Sequence, residues 1–210
     1  RIQGIRLTLI QPSPFDDVTQ PPRFEGGYNG VLVRYSQFVK ELAQRERTGV
    51  ADLNTAIVAA LEKAKAANPE MAKKIIPDRV HPGASGHLLM AAALLKAWEA
   101  PAVVTTVEID APAKRAVRSE NTALTALETG NSLTWTQVDG ALPMPVDMSD
   151  AVMALAINSS DFMETMNQQA LKVTGLTAPR YALKIDGSSV GAFSKEQLAK
   201  GINLAILPTP

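Results

Sequence analysis

The chain of 210 residues contains no cysteine and only two histidines, His81 and His87. Without cysteine it has no disulfide bond, no thiol nucleophile and no cysteine-ligated zinc site. The two histidines lie six residues apart, a spacing that does not place both on one helical face, so we expect His87 to make a local hydrogen bond. We therefore predict neither a metal ion nor an organic cofactor.

No sign of charge predominates, because 21 lysine and arginine residues balance 21 aspartate and glutamate residues. No run of five or more like charges occurs, so the chain offers no field that favours nucleic acid or an anionic membrane. The longest apolar stretch, residues 88–97, contains Lys96 and is too short to cross a bilayer. We predict neither a nucleic-acid partner nor a membrane span.

The first hundred residues alternate predicted strands and helices, which is the pattern of an α/β layer fold. Apolar, partly β-branched segments predict strands at residues 5–10 and 49–53. Apolar residues at helical spacing predict helices at residues 29–47, 55–67 and 85–98.

The composition changes near residue 101, and the segments beyond it are mainly extended. They are predicted as strands at 103–109, 132–138 and 152–157, a hairpin around Asp186-Gly187, and a helix that Ser194 opens. We therefore predict an α/β domain over residues 1–100 and a smaller β-rich α+β region over residues 101–210.

A short polar loop at residues 76–84 holds the most informative motif. Asp78 precedes His81 by three residues, and Pro82 follows. A carboxylate beside an imidazole fixes its tautomer and stabilises its charged form, which makes the imidazole a general base. Because an apolar helix starts directly after the loop, we favour a catalytic pair over a solvated surface turn. Asp78 and His81 are the candidate catalytic residues.

The segment Asp78–His87 and the apolar helix after it resemble the last sequence block of the SGNH, or GDSL-type, hydrolases. Residues 8–17 and 50–54 resemble the strands that precede this block, so the likeness covers about residues 4–100. The resemblance implies a doubly wound, flavodoxin-like three-layer α/β sheet, of which this chain would hold the C-terminal half. It also implies that the carboxylate and imidazole named above complete a triad with a serine.

The serine that such a triad needs is not evident in this chain. Neither the Gly-Asp-Ser nor the Gly-x-Asn-Asp motif of the SGNH hydrolases occurs, so the nucleophile and the oxyanion residues would lie outside the segment. Gly187–Gly191 fits Gly-x-Ser-x-Gly around Ser189, but it lies between two extended segments. A nucleophile elbow joins a strand to a helix, so we interpret this motif as a hairpin turn.

Two predicted parallel strands are too few for a stable sheet with helices on both faces. Each strand would also present an unpaired edge to water. We expect strands from an N-terminal half of a longer polypeptide, or from a partner chain, to complete this sheet.

The loop over residues 11–29 follows a predicted strand end, where α/β enzymes place segments that contact the substrate. Phe15, Phe24 and Tyr28 would either line a pocket for an acyl group or a sugar, or pack the loop onto the domain. The sequence leaves both alternatives open.

These inferences favour a serine ester hydrolase that acts on a small ester or an acetylated carbohydrate, with residues 101–210 as an accessory region. The chain alone is expected to be inactive, because a base without a nucleophile forms no acyl-enzyme. The alternative is a non-catalytic carbohydrate- or protein-binding protein on a hydrolase-like scaffold. The family likeness also favours export to the periplasm or the exterior.

Overall fold

A computed structural model describes residues 4–208 of the chain. Residues 1–3 and 209–210, which the two predicted regions include, lie outside the described residues. The chain divides into two compact units. The first holds the residues up to Ala100 together with Asp147–Phe162, and the second holds Pro101–Val146 together with the residues from Met163 onward. The predicted division into domains 1–100 and 101–210 stays a prediction.

The first unit is built from short parallel strands and several helices. In chain order these are β1 (Thr8–Ile10), α1 (Gly27–Glu46), β2 (Gly49–Ala51), α2 (Thr55–Ala67), α3 (Pro69–Ala72), α4 (Ala84–Ala97) and α5 (Ala151–Asn158). Strands β1 and β2 form a two-stranded parallel sheet in which Leu9 lies opposite Val50. Within residues 4–208, each of these strands has one neighbour and one open edge.

The core of the first unit forms where α2, α4 and α5 meet the segment after α3. Its fully buried side chains include Ile57 and Leu61 from α2 and Ile75 and Ile76 from that segment, and Leu89 of α4 packs with them. Burial of each such aliphatic side chain stabilises the fold by roughly 1.5–3 kcal/mol. The core therefore fixes the chain immediately before the Asp78–His81 loop.

The second unit contains most of the strands. They are β3 (Val103–Asp110), β4 (Arg115–Glu120), β5 (Thr122–Thr129), β6 (Leu133–Asp139), β7 (Gln168–Thr174), β8 (Arg180–Ile185), β9 (Ser188–Ser194) and β10 (Ile202–Asn203). The helices are α6 (Phe162–Met166), which begins at the last residue of the first unit, α7 (Lys195–Lys200) and a 3-10 turn at Leu204–Ile206.

The second unit has one larger sheet and two hairpins. The sheet has the order β10-β7-β3-β4, with β3 and β7 parallel, and the hairpins are β5–β6 and β8–β9. Val107, Ile109, Leu171 and Val173 form the centre of the core. The predicted hairpin around Asp186-Gly187 is confirmed as β8–β9.

The predicted strand at residues 152–157 is wrong, because these residues form α5. A short apolar run fits a buried helix as well as a strand. Asp150 decides between them, since its carboxylate oxygen Oδ1 accepts hydrogen bonds from the backbone N–H groups of Val152 (2.8 Å) and Met153 (3.0 Å). Ala156 and Ile157 of this helix are buried.

The chain is thus a mixed α/β protein with several small sheets. The doubly wound three-layer sheet stays a prediction. It requires more parallel strands than β1 and β2, which are the strands of the first unit within residues 4–208. None of the helices in that range is long and apolar enough to cross a membrane.

We predict that Asp150→Ala lowers the free energy of unfolding by about 1 kcal/mol, because the first turn of α5 loses its N-cap. Urea denaturation followed by circular dichroism measures the change. Asp150→Ser is the control, since a serine hydroxyl also caps a helix. Equal stability of the alanine and serine variants would contradict the assigned cap.

Candidate functional site

The Asp78–His81 loop is closed at both ends by backbone hydrogen bonds to the core segment. The N–H of Arg79 donates to the carbonyl of Ile76 (3.1 Å), and the N–H of Gly83 donates to the carbonyl of Ile75 (2.9 Å). Ile75 and Ile76 are fully buried. The loop is therefore anchored at both ends to buried residues of the core, and Asp78 and His81 lie between these two anchors.

Asp78 and His81 are in direct contact. The Oδ2 atom of Asp78 lies 2.7 Å from Nδ1 of His81. The other carboxylate oxygen, Oδ1, accepts hydrogen bonds from the backbone N–H groups of Val80 (3.0 Å) and His81 (2.7 Å). One carboxylate thus holds both the backbone turn and the ring, and it directs the Nε2 atom of His81 away from itself.

Hydrogen bonds lower the pKa of Asp78 well below its usual range. The largest cause is the bond from the backbone N–H of His81, followed by the bond with the His81 ring and the backbone bond from Val80. Asp78 is accordingly ionised at neutral pH. A permanent negative charge beside Nδ1 favours the tautomer that leaves Nε2 unprotonated and able to accept a proton.

The pair is open to solvent. The side chain of His81 is 82% exposed and that of Asp78 is 56% exposed. Within residues 4–208, His81 has Asp78 as its hydrogen-bonding side-chain partner and no serine. The arrangement therefore supplies an oriented imidazole whose Nε2 side is open to solvent among the described residues.

The serine of the Gly-x-Ser-x-Gly motif and the second histidine have separate surroundings, and so does Ser85, the serine nearest in sequence to the loop. Ser189 is in strand β9 of the hairpin, as interpreted from the sequence. Ser85 is buried inside α4. His87 directs Nδ1 towards the carbonyl of Gly83 at 3.1 Å, which confirms the expected local hydrogen bond. In the described part of the chain, no three histidine, aspartate or glutamate side chains are grouped to hold a metal ion.

Arg79 joins the loop to the segment after β1, a role that the sequence analysis missed. Its guanidinium donates to the carbonyl of Pro21 (2.9 Å) and to Oε1 of Gln20 (3.2 Å), and it pairs with the carboxylate of Asp17 (3.4 Å). The side chains of this ion pair are only 10% and 11% exposed. Such a pair is costly to break from one side, because it leaves a buried charge unpaired.

The Arg79 backbone adds a further tie and an uncommon conformation. Its carbonyl accepts a hydrogen bond from the N–H of Asp16 (2.9 Å), and its φ angle is 72°. A non-glycine residue seldom adopts a positive φ. The ring of Phe15 lies under the guanidinium, with its centroid 5.7 Å from the Cζ atom. The contacts of the side chain hold this backbone conformation next to Val80 and His81.

The adjacent carboxylates of Asp16 and Asp17, in the loop over residues 11–29, accept hydrogen bonds from different segments. Asp16 is fully buried, and its carboxylate accepts hydrogen bonds from the backbone of Val18 and Thr19 and from the Thr19 hydroxyl. Asp17 accepts from the N–H of Asn29 (2.9 Å), at the start of α1. Both carboxylates therefore shape the loop.

A groove of about 660 Å³ runs along this loop and reaches Val80, the neighbour of His81. Phe15, Phe24 and Tyr28 line it together. Phe15 and Tyr28 meet edge to face, with ring centroids 5.2 Å apart. The structure therefore combines the two alternatives of the sequence analysis, because Phe15 packs under Arg79 and Phe24 and Tyr28 remain about half exposed.

Among solved structures, the chain is similar to that of a gut microbial diltiazem-metabolizing enzyme, with a TM-score of 0.80 and 32% sequence identity. The match covers 98% of this chain and 48% of the other, so this chain spans about half the length of that structure. No protein-family model and no curated protein matches the sequence. The fold of this chain is therefore found in an enzyme, and its likeness to the SGNH hydrolases stays a prediction.

We predict that Gly86→Ala destabilises the base of the candidate site. A Cβ atom there would lie 2.7 Å from Cβ of Pro82 and 2.9 Å from the carbonyl oxygen of Ile75. The free energy of unfolding should fall by about 1–3 kcal/mol, as expected for overpacking. Gly30→Ala in α1 is the control, because no atom lies within 4 Å of its added Cβ. Equal stabilities in urea denaturation would contradict the close packing at Gly86.

Proposed function

We propose that this chain carries the acid–base half of a serine ester hydrolase of SGNH type, in which the nucleophilic serine lies outside residues 1–210. The contact of 2.7 Å between Asp78 Oδ2 and His81 Nδ1 carries the proposal. The exposed Nε2 side of His81 and the ionised state of Asp78 support it, because a general base needs both an acceptor atom and an oriented, stabilised ring.

In this mechanism, Nε2 of His81 takes the proton from the serine hydroxyl while the serine oxygen attacks the carbonyl carbon of the ester. The ester C–O bond then breaks, and the imidazolium returns the proton to the leaving alcohol. Water attacks the acyl-enzyme in the second half with the same base, which releases the carboxylic acid and the free serine. Asp78 keeps its charge throughout and stabilises the imidazolium. The proposed steps use amino-acid side chains and water, without a metal ion or an organic cofactor.

The likeness to a diltiazem-metabolizing enzyme supports an ester substrate. Diltiazem carries an O-acetyl ester, whose hydrolysis is one way to metabolize it. We therefore propose small esters, O-acetyl esters among them, as the substrate class of this chain's complete form. Acetylated carbohydrates remain within that class. The second unit is proposed as an accessory region, and export from the cytoplasm stays a prediction of the family likeness.

The open edge of β1 offers a place for the polypeptide that supplies the serine. Leu7 and Ile10 are 58% and 51% exposed beside this strand, and Trp98, just after α4, is 54% exposed. Large apolar side chains grouped in this way are typical of surfaces that another segment covers. A strand added at this edge would extend the parallel sheet and shield these side chains. We propose that an N-terminal segment or a partner chain carries that strand.

A second candidate function is a non-catalytic binding protein. The observation that favours it is that His81 has no serine partner within residues 4–208. In that case, the groove at Phe24 and Tyr28 would bind a ligand, and the Asp78–His81 turn would only shape one wall.

The test is to label the polypeptide that the organism makes with a fluorophosphonate, which reacts with an activated serine, and to measure its ester hydrolysis. We expect stoichiometric labelling outside residues 1–210. His81→Ala should lower both labelling and kcat/KM by about 10³-fold or more, because the serine loses its base.

His87→Ala is the matched control and should retain activity, since within residues 4–208 that ring has the carbonyl of Gly83 as its hydrogen-bonding partner. Absence of labelling together with absence of hydrolysis would favour the binding protein. Hydrolysis that persists unchanged in His81→Ala would contradict the assigned base.

A further inference from the structure

We infer that the groove that reaches Val80, the chain neighbour of His81, is a subsite for an aromatic ring of the ester substrate. The inference rests on the proposed ester hydrolysis and specifies its substrate class. It concerns the groove described above, which Phe15, Phe24, Tyr28 and Val80 line.

Two of the aromatic rings that line the groove remain about half exposed among the described residues. Phe24 and Tyr28 are 52% and 49% exposed, and Val80 is 50% exposed. Aromatic side chains pair preferentially with other rings in offset or edge-to-face arrangements. Phe15 and Tyr28 already meet at 68° between their planes, so a substrate ring placed against Tyr28 and Phe24 would continue this cluster.

The charged groups of the groove favour an aromatic ring over a sugar, whose hydroxyls would find only the hydroxyls of Ser13 and Tyr28 among the other polar side chains of the lining. Recognition of a carbohydrate requires hydrogen-bonding partners for several hydroxyls, and each unpaired polar group in a site costs free energy. Asp17 is occupied, because its oxygens accept from the N–H of Asn29 and from the guanidinium of Arg79. The remaining charged group of the lining is Arg23, and a guanidinium stacks on an aromatic face.

Arg79 fixes the position of the groove relative to the base. Its guanidinium lies over Phe15 at one side of the groove, and its backbone continues into Val80 and His81. The hydrogen bond from Asp16 N–H to the Arg79 carbonyl holds the two segments together. A ring bound against Phe24 and Tyr28 would therefore contact a segment that is hydrogen-bonded to the loop of His81, which would help to align an ester for the imidazole.

The test compares three esters with the polypeptide as the organism makes it. Benzyl acetate and methyl phenylacetate are isomers that carry the ring on the alcohol side and on the acyl side, respectively. Cyclohexylmethyl acetate is the saturated analogue of benzyl acetate. We expect kcat/KM for benzyl acetate to exceed that for its saturated analogue by about 2- to 12-fold, the increment typical of an aromatic pair, and methyl phenylacetate, whose acyl and leaving groups differ, serves only to compare the two positions of the ring.

The double variant Phe24→Leu/Tyr28→Leu should remove this preference, because kcat/KM for the aromatic ester falls, mainly through KM, towards the value for the saturated ester in the same variant. Phe38→Leu is the matched control, since Phe38 is an exposed phenylalanine of α1 that does not line the groove, and it should leave the ratio unchanged. An absent preference, or one that the double variant retains, would overturn the subsite.

Binding without turnover separates failure of the subsite from failure of the proposed function. The His81→Ala variant is titrated with benzyl acetate, methyl phenylacetate and cyclohexylmethyl acetate, and side-chain NMR shifts report binding. Tighter binding of an aromatic ester, lost in the double variant, supports the subsite even if no ester is hydrolysed. Equal binding of all three esters overturns it, whatever the fluorophosphonate result.

Discussion

Burial of two adjacent isoleucines is the constraint on which the candidate site depends. Ile75 and Ile76 are completely enclosed by the core of the first unit, and their carbonyls accept the hydrogen bonds that close the Asp78–His81 loop. Because apolar packing fixes both ends of the loop, the loop keeps its conformation although the side chains of Asp78 and His81 are exposed. Apolar packing in the core therefore holds the loop in one conformation, in which Asp78 orients the solvent-exposed imidazole of His81.

A second set of contacts connects the Asp78–His81 loop to the segment after β1. Arg79 connects the loop to residues 15–21 through its guanidinium, its carbonyl and its contact with an aromatic ring. The two segments are about sixty residues apart in the chain, so neither is shaped by local preference alone. The groove and the loop that carries His81 are consequently packed together through Arg79. A substitution in one of them should therefore alter the conformation of the other.

Local signals in the sequence were sufficient for several elements. Neighbouring residues alone predict the bounds of α2, residues 55–67, the hairpin β8–β9 and the helix that Ser194 opens, and all three are confirmed. The helix α5 was missed because a short apolar run has no distinctive period and the cap at Asp150 decides it. Arg79 was missed because its partners lie far away in the chain. The pairing of Asp78 with His81 was within reach, since only three residues separate them.

That short separation has an evolutionary consequence. The carboxylate and the imidazole lie in four consecutive residues, 78–81, and their mutual hydrogen bonds are local to that turn, whereas Ile75, Ile76 and the partners of Arg79 hold the turn in place. The pair can therefore be inherited with unchanged geometry wherever these supporting contacts are kept. A substitution away from these contacts would leave that geometry unchanged, so a relative with altered chemistry would still display the same oriented imidazole.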